Sequence, residues 1–296
     1  MPYQLAALIA ASLWATSSII ATDVVRRIGG PRFTRVRMVV VCVLLGTIVT
    51  IRGGWETLAV DDLWLVGLSG LVGLTIGDIA LFTAMSRIGP RRTSVLFTAN
   101  APMAAIGGVW LFGETFDLVS GTGAVLTVVG ILLAVVYGNR AGASDTFEKI
   151  EGSLPVGAFW GLMGAVGQAA GALAAKPVLD DGADTLAVAA TRAIIATVAM
   201  WIVARPSDRQ LGATRHGRIT PRDWVIIVVS GTIAMVIGQS LVLYALGEGD
   251  AGITTILSST TPVLLLPALW VITRKPPALG AWIGAGLSVL GTSLLI

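Results

Sequence analysis

Ser69-Gly70-Leu71-Val72-Gly73-Leu74-Thr75-Ile76-Gly77-Asp78 returns 161 residues later as Ser230-Gly231-Thr232-Ile233-Ala234-Met235-Val236-Ile237-Gly238-Gln239, with Ala84 and Ala245 following at the same offset. Outward from these stretches the register persists. Pro102 and Trp110 lie over Pro262 and Trp270 at an offset of 160, and Leu118, Gly123 and Gly130 lie over Leu279, Gly284 and Gly291 at 161. Arg37 and Arg192 hold similar places early in the second apolar run of each half. A fixed period over so long a chain is the mark of a duplicated unit.

The unit is a membrane one. Hydrophobic residues make up 55% of the chain, charged residues 12%, and the mean hydropathy is +0.85, whereas a soluble domain carries roughly a quarter charged residues. Apolar stretches of the length needed for a crossing, about 20 residues, predict ten helices near 4–23, 35–51, 63–85, 93–112, 118–138, 153–175, 186–204, 224–246, 251–273 and 278–296. Runs such as Val39-Val40-Val41-Cys42-Val43-Leu44-Leu45 do not alternate as barrel strands would. The first run has no basic leader before it and reads as a retained helix. Residues 1–139 form a first repeat, the polar stretch 140–152 a linker, and 153–296 a second repeat. With five spans in each, the second copy must sit upside down. The expected fold is therefore an all-α membrane protein, ten transmembrane helices as two inverted five-helix repeats.

The loops after spans 1, 3, 5, 7 and 9 hold 17 of the 20 Lys and Arg residues, from Arg26 and Arg27 to Arg274 and Lys275. The other face has Arg52 and Lys176 against acids such as Glu56, Asp61, Glu114 and Asp250. The positive-inside rule places the basic face in the cytoplasm and both termini outside. The expected location is the cell membrane, with multiple passes. One Cys (Cys42) and one His (His216) leave no disulfide framework, metal cage or Cys/His catalytic pair, and the net charge of +3 implies no nucleic-acid surface.

Asn100-Ala101-Pro102-(x)7-Trp110-Leu111-Phe112-Gly113-Glu114-(x)6-Gly121 resembles the Pro…Leu-Gly-Glu…Gly stretch of the drug/metabolite transporter superfamily, in its EamA-type ten-span members. The second half repeats it as Thr261-Pro262-(x)7-Trp270, with Arg274-Lys275 in place of Gly-Glu. Pro31-(x)3-Arg35-(x)-Arg37 resembles the family's start of span 2, and Ile76-Gly77-Asp78-(x)5-Ala84 a span-3 variant. The resemblance covers essentially the whole chain. It implies a secondary transporter of small metabolites, usually drawn with both termini in the cytoplasm, against the loop count here.

Asp78 is the carboxylate well inside an apolar run, where an ionised group costs roughly 3 kcal/mol on insertion scales. It reads two ways: as half of a structural pair with Arg37 at similar depth, or as a substrate or proton site. Arg192 is the basic residue in mid-span, and the repeat counterpart of Asp78 is the neutral Gln239. That leaves Arg192 either to anchor an anionic substrate group or to pair with Glu114 or Asp184. Pro102 and Pro262 break the helical ladder at matching places, which points to a midplane site. Asn100, Thr260 and Thr261 beside them add polar groups, and Trp14 and Gln168 lie deep enough to line the same cavity. Spacings such as Gly157-(x)3-Gly161 and Gly164-(x)2-Gly167-(x)3-Gly171 read as close helix packing.

Span 1 has no acid between Leu5 and Thr22, unlike the small multidrug exporters, and no phosphate-binding loop is present. The expectation is a secondary transporter, needing a small-molecule substrate and a lipid bilayer but no cofactor and no oligomer. Proton coupling, direction and substrate stay open. The alternative is a non-transporting membrane protein, an intramembrane enzyme or scaffold; catalysis would need a base or metal that the spans lack.

Overall fold

The computed structural model describes residues 1–115, 117–136, 153–210, 218–261, 263–265, 267, 270 and 278–294, and its regular elements are helices. The linker 140–152 and Pro262 lie outside the described residues. Helix α1 (Tyr3–Ile28) turns into α2 (Gly30–Arg52) at Gly29, whose φ of 87° suits glycine. Helix α3 (Leu63–Ser69) widens into a π-helical stretch, Gly70–Asp78, and narrows again to α4 (Ile79–Phe97). Within α4 the chain doubles back at Gly89, φ 83°. Helices α5 (Asn100–Phe112) and α6 (Leu118–Val136) complete the first half.

The second half follows the same plan: α7 (Leu154–Asp180), α8 (Thr185–Gln210), then α9 (Pro221–Gly231). A second π-helical stretch, Thr232–Gln239, leads into α10 (Ser240–Glu248), followed by α11 (Ala251–Ser258) and α12 (Leu279–Ser293). Among the described residues six helices are long and apolar enough to cross a membrane; the expectation of ten crossings adds shorter apolar ones such as Asn100–Phe112 and Leu279–Gly291.

Three expectations need correcting. Helix α2 starts at Gly30 rather than near 35, because Pro31 fits the first helical turn, where no N–H is needed. Helix α8 continues through its polar end to Gln210 instead of stopping near 204. The expected span 93–112 is not one helix with a kink at Pro102. Its chain leaves α4 at Thr98–Ala99 and restarts at Asn100, so Pro102 sits in the first turn of α5 and costs no hydrogen bond.

The repeat is visible as geometry. A β-carbon on Gly130 of α6 would come within 2.6 Å of the Gly284 carbonyl of α12, and one on Gly291 of α12 within 2.6 Å of the Gly123 carbonyl of α6. These are the same contact made twice with the partners exchanged. Ascending numbers on one helix meet descending numbers on the other, so equivalent helices cross antiparallel and the repeats are inverted. Elsewhere, Arg37 of α2 packs on Gly231 and Arg192 of α8 packs on Gly70; the two glycines are again 161 apart. Gly167 and Gly171 of α7 lie over Gly77 and Gly73, where a β-carbon would meet the opposite Cα at 2.7 and 2.6 Å. Only bare backbone permits that approach.

Candidate functional site: a cavity where the broken helices meet

The π-helical stretches end at Asp78 and Gln239, one per repeat. Such wide turns leave backbone groups out of the normal ladder and recur at functional sites. Trp14 of α1 answers one of them: its Nε1–H donates to the Ala234 carbonyl at 2.9 Å. The helix breaks supply a second irregularity. Thr98–Ala99 after α4 and Ser259–Thr260 after α11 interrupt the helices 161 residues apart. The two breaks touch, with Ser259 Oγ donating to Asn100 Oδ1 at 3.2 Å and the Asn100 amide donating to the Phe97 carbonyl at 2.5 Å.

A cavity of about 110 Å³ opens beside this crossing. Trp14, Arg37, Asp78, Gln168, Gln239 and Thr261 line it, together with hydroxyls of Ser17, Ser18, Thr93, Thr98, Ser258 and Ser259 and apolar groups from Leu81, Phe82, Met85 and Phe97. The side chains of Gln168 and Gln239 make no hydrogen bond to described residues, which leaves two amides facing the space. Among the described residues no group of His, Cys, Asp and Glu could hold a metal.

The expected pair is present. Arg37 Nη2 lies 2.9 Å from Asp78 Oδ2, with both side chains almost wholly buried. The guanidinium also stacks near Phe82 and Phe33, 4.5 and 5.4 Å from the ring centroids. Charge-assisted contact and aromatic faces together offset the removal of water.

Arg192 is placed differently from the expectation. It is 1% exposed and does not line the cavity. Its Nη2 rests where a β-carbon on Gly73 would meet it at 3.1 Å, while Nε and Nη1 are buried with no hydrogen-bond partner among the described residues. It interacts through space with Asp78. Neither acid named as an alternative partner serves it. Asp184 accepts from the Ala187 amide at 2.9 Å, and Glu114 accepts from the Ala251 and Gly252 amides at 2.6 and 3.1 Å. Two buried guanidiniums thus share the field of one carboxylate.

Of the residues expected at the site, Trp14, Asp78, Gln168, Gln239 and Thr261 meet at the cavity. Asn100 ties the breaks together behind it, and Pro102, half-buried, lies one turn beyond. Ser258 and Ser259 join the expected Thr261 through the polar run Ser258-Ser259-Thr260-Thr261 inside an apolar span, whereas Ser17, Ser18, Thr93 and Thr98 have no such signal.

The family model described as "EamA-like transporter family" matches residues 1–136 and 155–296, one match per half. Twenty-nine chains of solved structures match. One crystal structure has a TM-score of 0.74 at 19% identity, covering 99% of this chain and 95% of that one, a likeness of fold alone. No curated protein matches the chain.

Proposed function

This chain belongs to the EamA-like transporter family, and from that premise we propose that it carries a small metabolite across the cell membrane by alternating access. The cavity between the two crossed helix breaks supports this reading most directly. Each repeat contributes one break and one π-helical turn, so rocking one repeat against the other would rearrange the walls without melting a helix.

The lining suits an amphipathic solute. Trp14, Phe82 and Phe97 offer apolar faces, while Gln168, Gln239 and the hydroxyls offer hydrogen bonds. The two arginines exceed the one carboxylate, which favours a solute with an anionic group; Arg192 would act through its field rather than by touch. Basic loops facing the cytoplasm would leave both termini outside.

Proteoliposomes tested with labelled organic acids and amino acids provide the assay. Thr261→Phe fills the cavity from the second break and should abolish transport while the Tm in detergent stays near that of the parent. Full transport by that variant would discard the cavity as the path. A reporter fused after residue 294 should be active outside the cell, and cytoplasmic activity would reverse the orientation.

A further inference from the structure

The cavity occupies the middle of the molecule and the half toward the basic loops. Its lining includes Ser17 and Ser18 near the later part of α1, Met85 near the Gly89 turn and Thr93 just after it. The opposite, acid-loop end is filled. There Ala6 and Ala7 of α1, Ala101 of α5, Ala245 of α10 and Ile253 and Ile256 of α11 pack into one buried cluster.

Two ionic side chains pin the α10–α11 turn over that cluster. Lys176 Nζ donates to the Leu246 and Gly249 carbonyls at 3.2 and 3.1 Å, at the end of α10. Glu114, from the other repeat, accepts from the first two amides of α11 and is 7% exposed. The carboxylate fits because position 108 is glycine; a β-carbon there would strike Glu114. A carboxylate on a helix N-terminus gains from the bare amides and from the helix dipole together.

The sequence denies the second repeat this device. At the offset of 161, Glu114 corresponds to Lys275 and Ala251 to Pro90, which has no N–H to give. We propose that Glu114 is a one-sided latch: it holds the acid end of the cavity shut, and without a counterpart at the other end the resting protein opens to the basic face. This rests on the alternating-access reading above, in which α11 must leave α5 for the acid end to open.

The test is sided cysteine labelling in proteoliposomes. The chain carries Cys42→Ser and Gln168→Cys, which puts one thiol at the mid-depth cavity wall, and an impermeant thiol reagent is applied to each face. Reference cysteines at Glu56 and Arg218 calibrate the acid and basic faces. The thiol at 168 should react from the basic face. Adding Glu114→Gln, which replaces one acceptor by an N–H₂ aimed at two amides, should raise acid-face labelling on the order of tenfold, the scale of a lost charge-assisted hydrogen bond. Gly108→Ala keeps the carboxylate but displaces it, and should do the same even where Glu114→Gln folds poorly. Unchanged acid-face labelling in both variants, whatever their Tm, would overturn the latch. Equal labelling of the parent from both faces would overturn the one-sided latch while leaving the transport reading standing, since that reading falls only to full transport by Thr261→Phe.

Discussion

The two halves share a backbone and differ in what they bury. Each has an arginine early in its second helix, packed on a glycine of the other half, and a π-helical turn that ends at a polar residue. In the first half that residue is Asp78, bonded to Arg37 at 2.9 Å. In the second it is Gln239, and Arg192 keeps two buried nitrogens with no hydrogen-bond partner among the described residues. Duplication fixed the scaffold, and side-chain divergence made the two sides inequivalent. Arg192 feels Asp78 only through space, so its guanidinium is buried with less compensation than that of Arg37.

The largest break in this comparison is Asp78→Asn. It would leave two buried guanidiniums with no carboxylate, at a cost of about 3–5 kcal/mol. Adding Arg37→Gln should recover part of that loss, because the second change removes the orphaned charge. A thermal-unfolding cycle in detergent measures it. Simple addition of the two losses would show that the pair is not coupled.

The next effect tests where the halves remain alike. Gly130→Leu and Gly291→Leu each drive a side chain into the partner's backbone and should cost similar amounts, about 1–3 kcal/mol. Gly286→Leu, on the same helix as Gly291 but with nothing within 4 Å, should cost little. Unequal losses at 130 and 291 would mean that the exchange symmetry of this crossing is only local to its glycines.

Much of this was legible in the sequence, for identifiable reasons. The repeat could be read because the glycines at 130 and 291 are forced by backbone contact with the opposite helix. The Arg37–Asp78 pair could be read because the direction of each span fixes the depth of its residues. The π-helical turns could not, since one extra residue in a turn leaves no compositional trace. That extra residue also shifts the helical phase of Asp78 and Gln239, so which of them faces which arginine was beyond span counting. The break at Thr98–Ala99 was displaced from Pro102 because proline is tolerated just inside a helix start. Glu114 stood in the family stretch, but the amides it caps lie at 251 and 252, a long-range partnership that no local motif announces.

The smallest effect sharpens the comparison by rebuilding it. Gln239→Asp gives the second half the carboxylate that the first half has, at the end of the same π-helical turn. If the scaffold is as symmetric as the glycine contacts make it, the new carboxylate reaches Arg192 as Asp78 reaches Arg37. A buried pair gains only a little net energy because desolvation offsets attraction, so the expected stabilisation is about 1 kcal/mol, read as a rise in Tm. The same substitution removes an amide from the cavity and engages the free guanidinium, so transport should fall even as stability rises. Opposite movement of the two readouts is the signature of a charge retained for function. A fall in both would mean that Gln239 and Arg192 are not within reach of each other, and the likeness between the half-sites would end at the backbone.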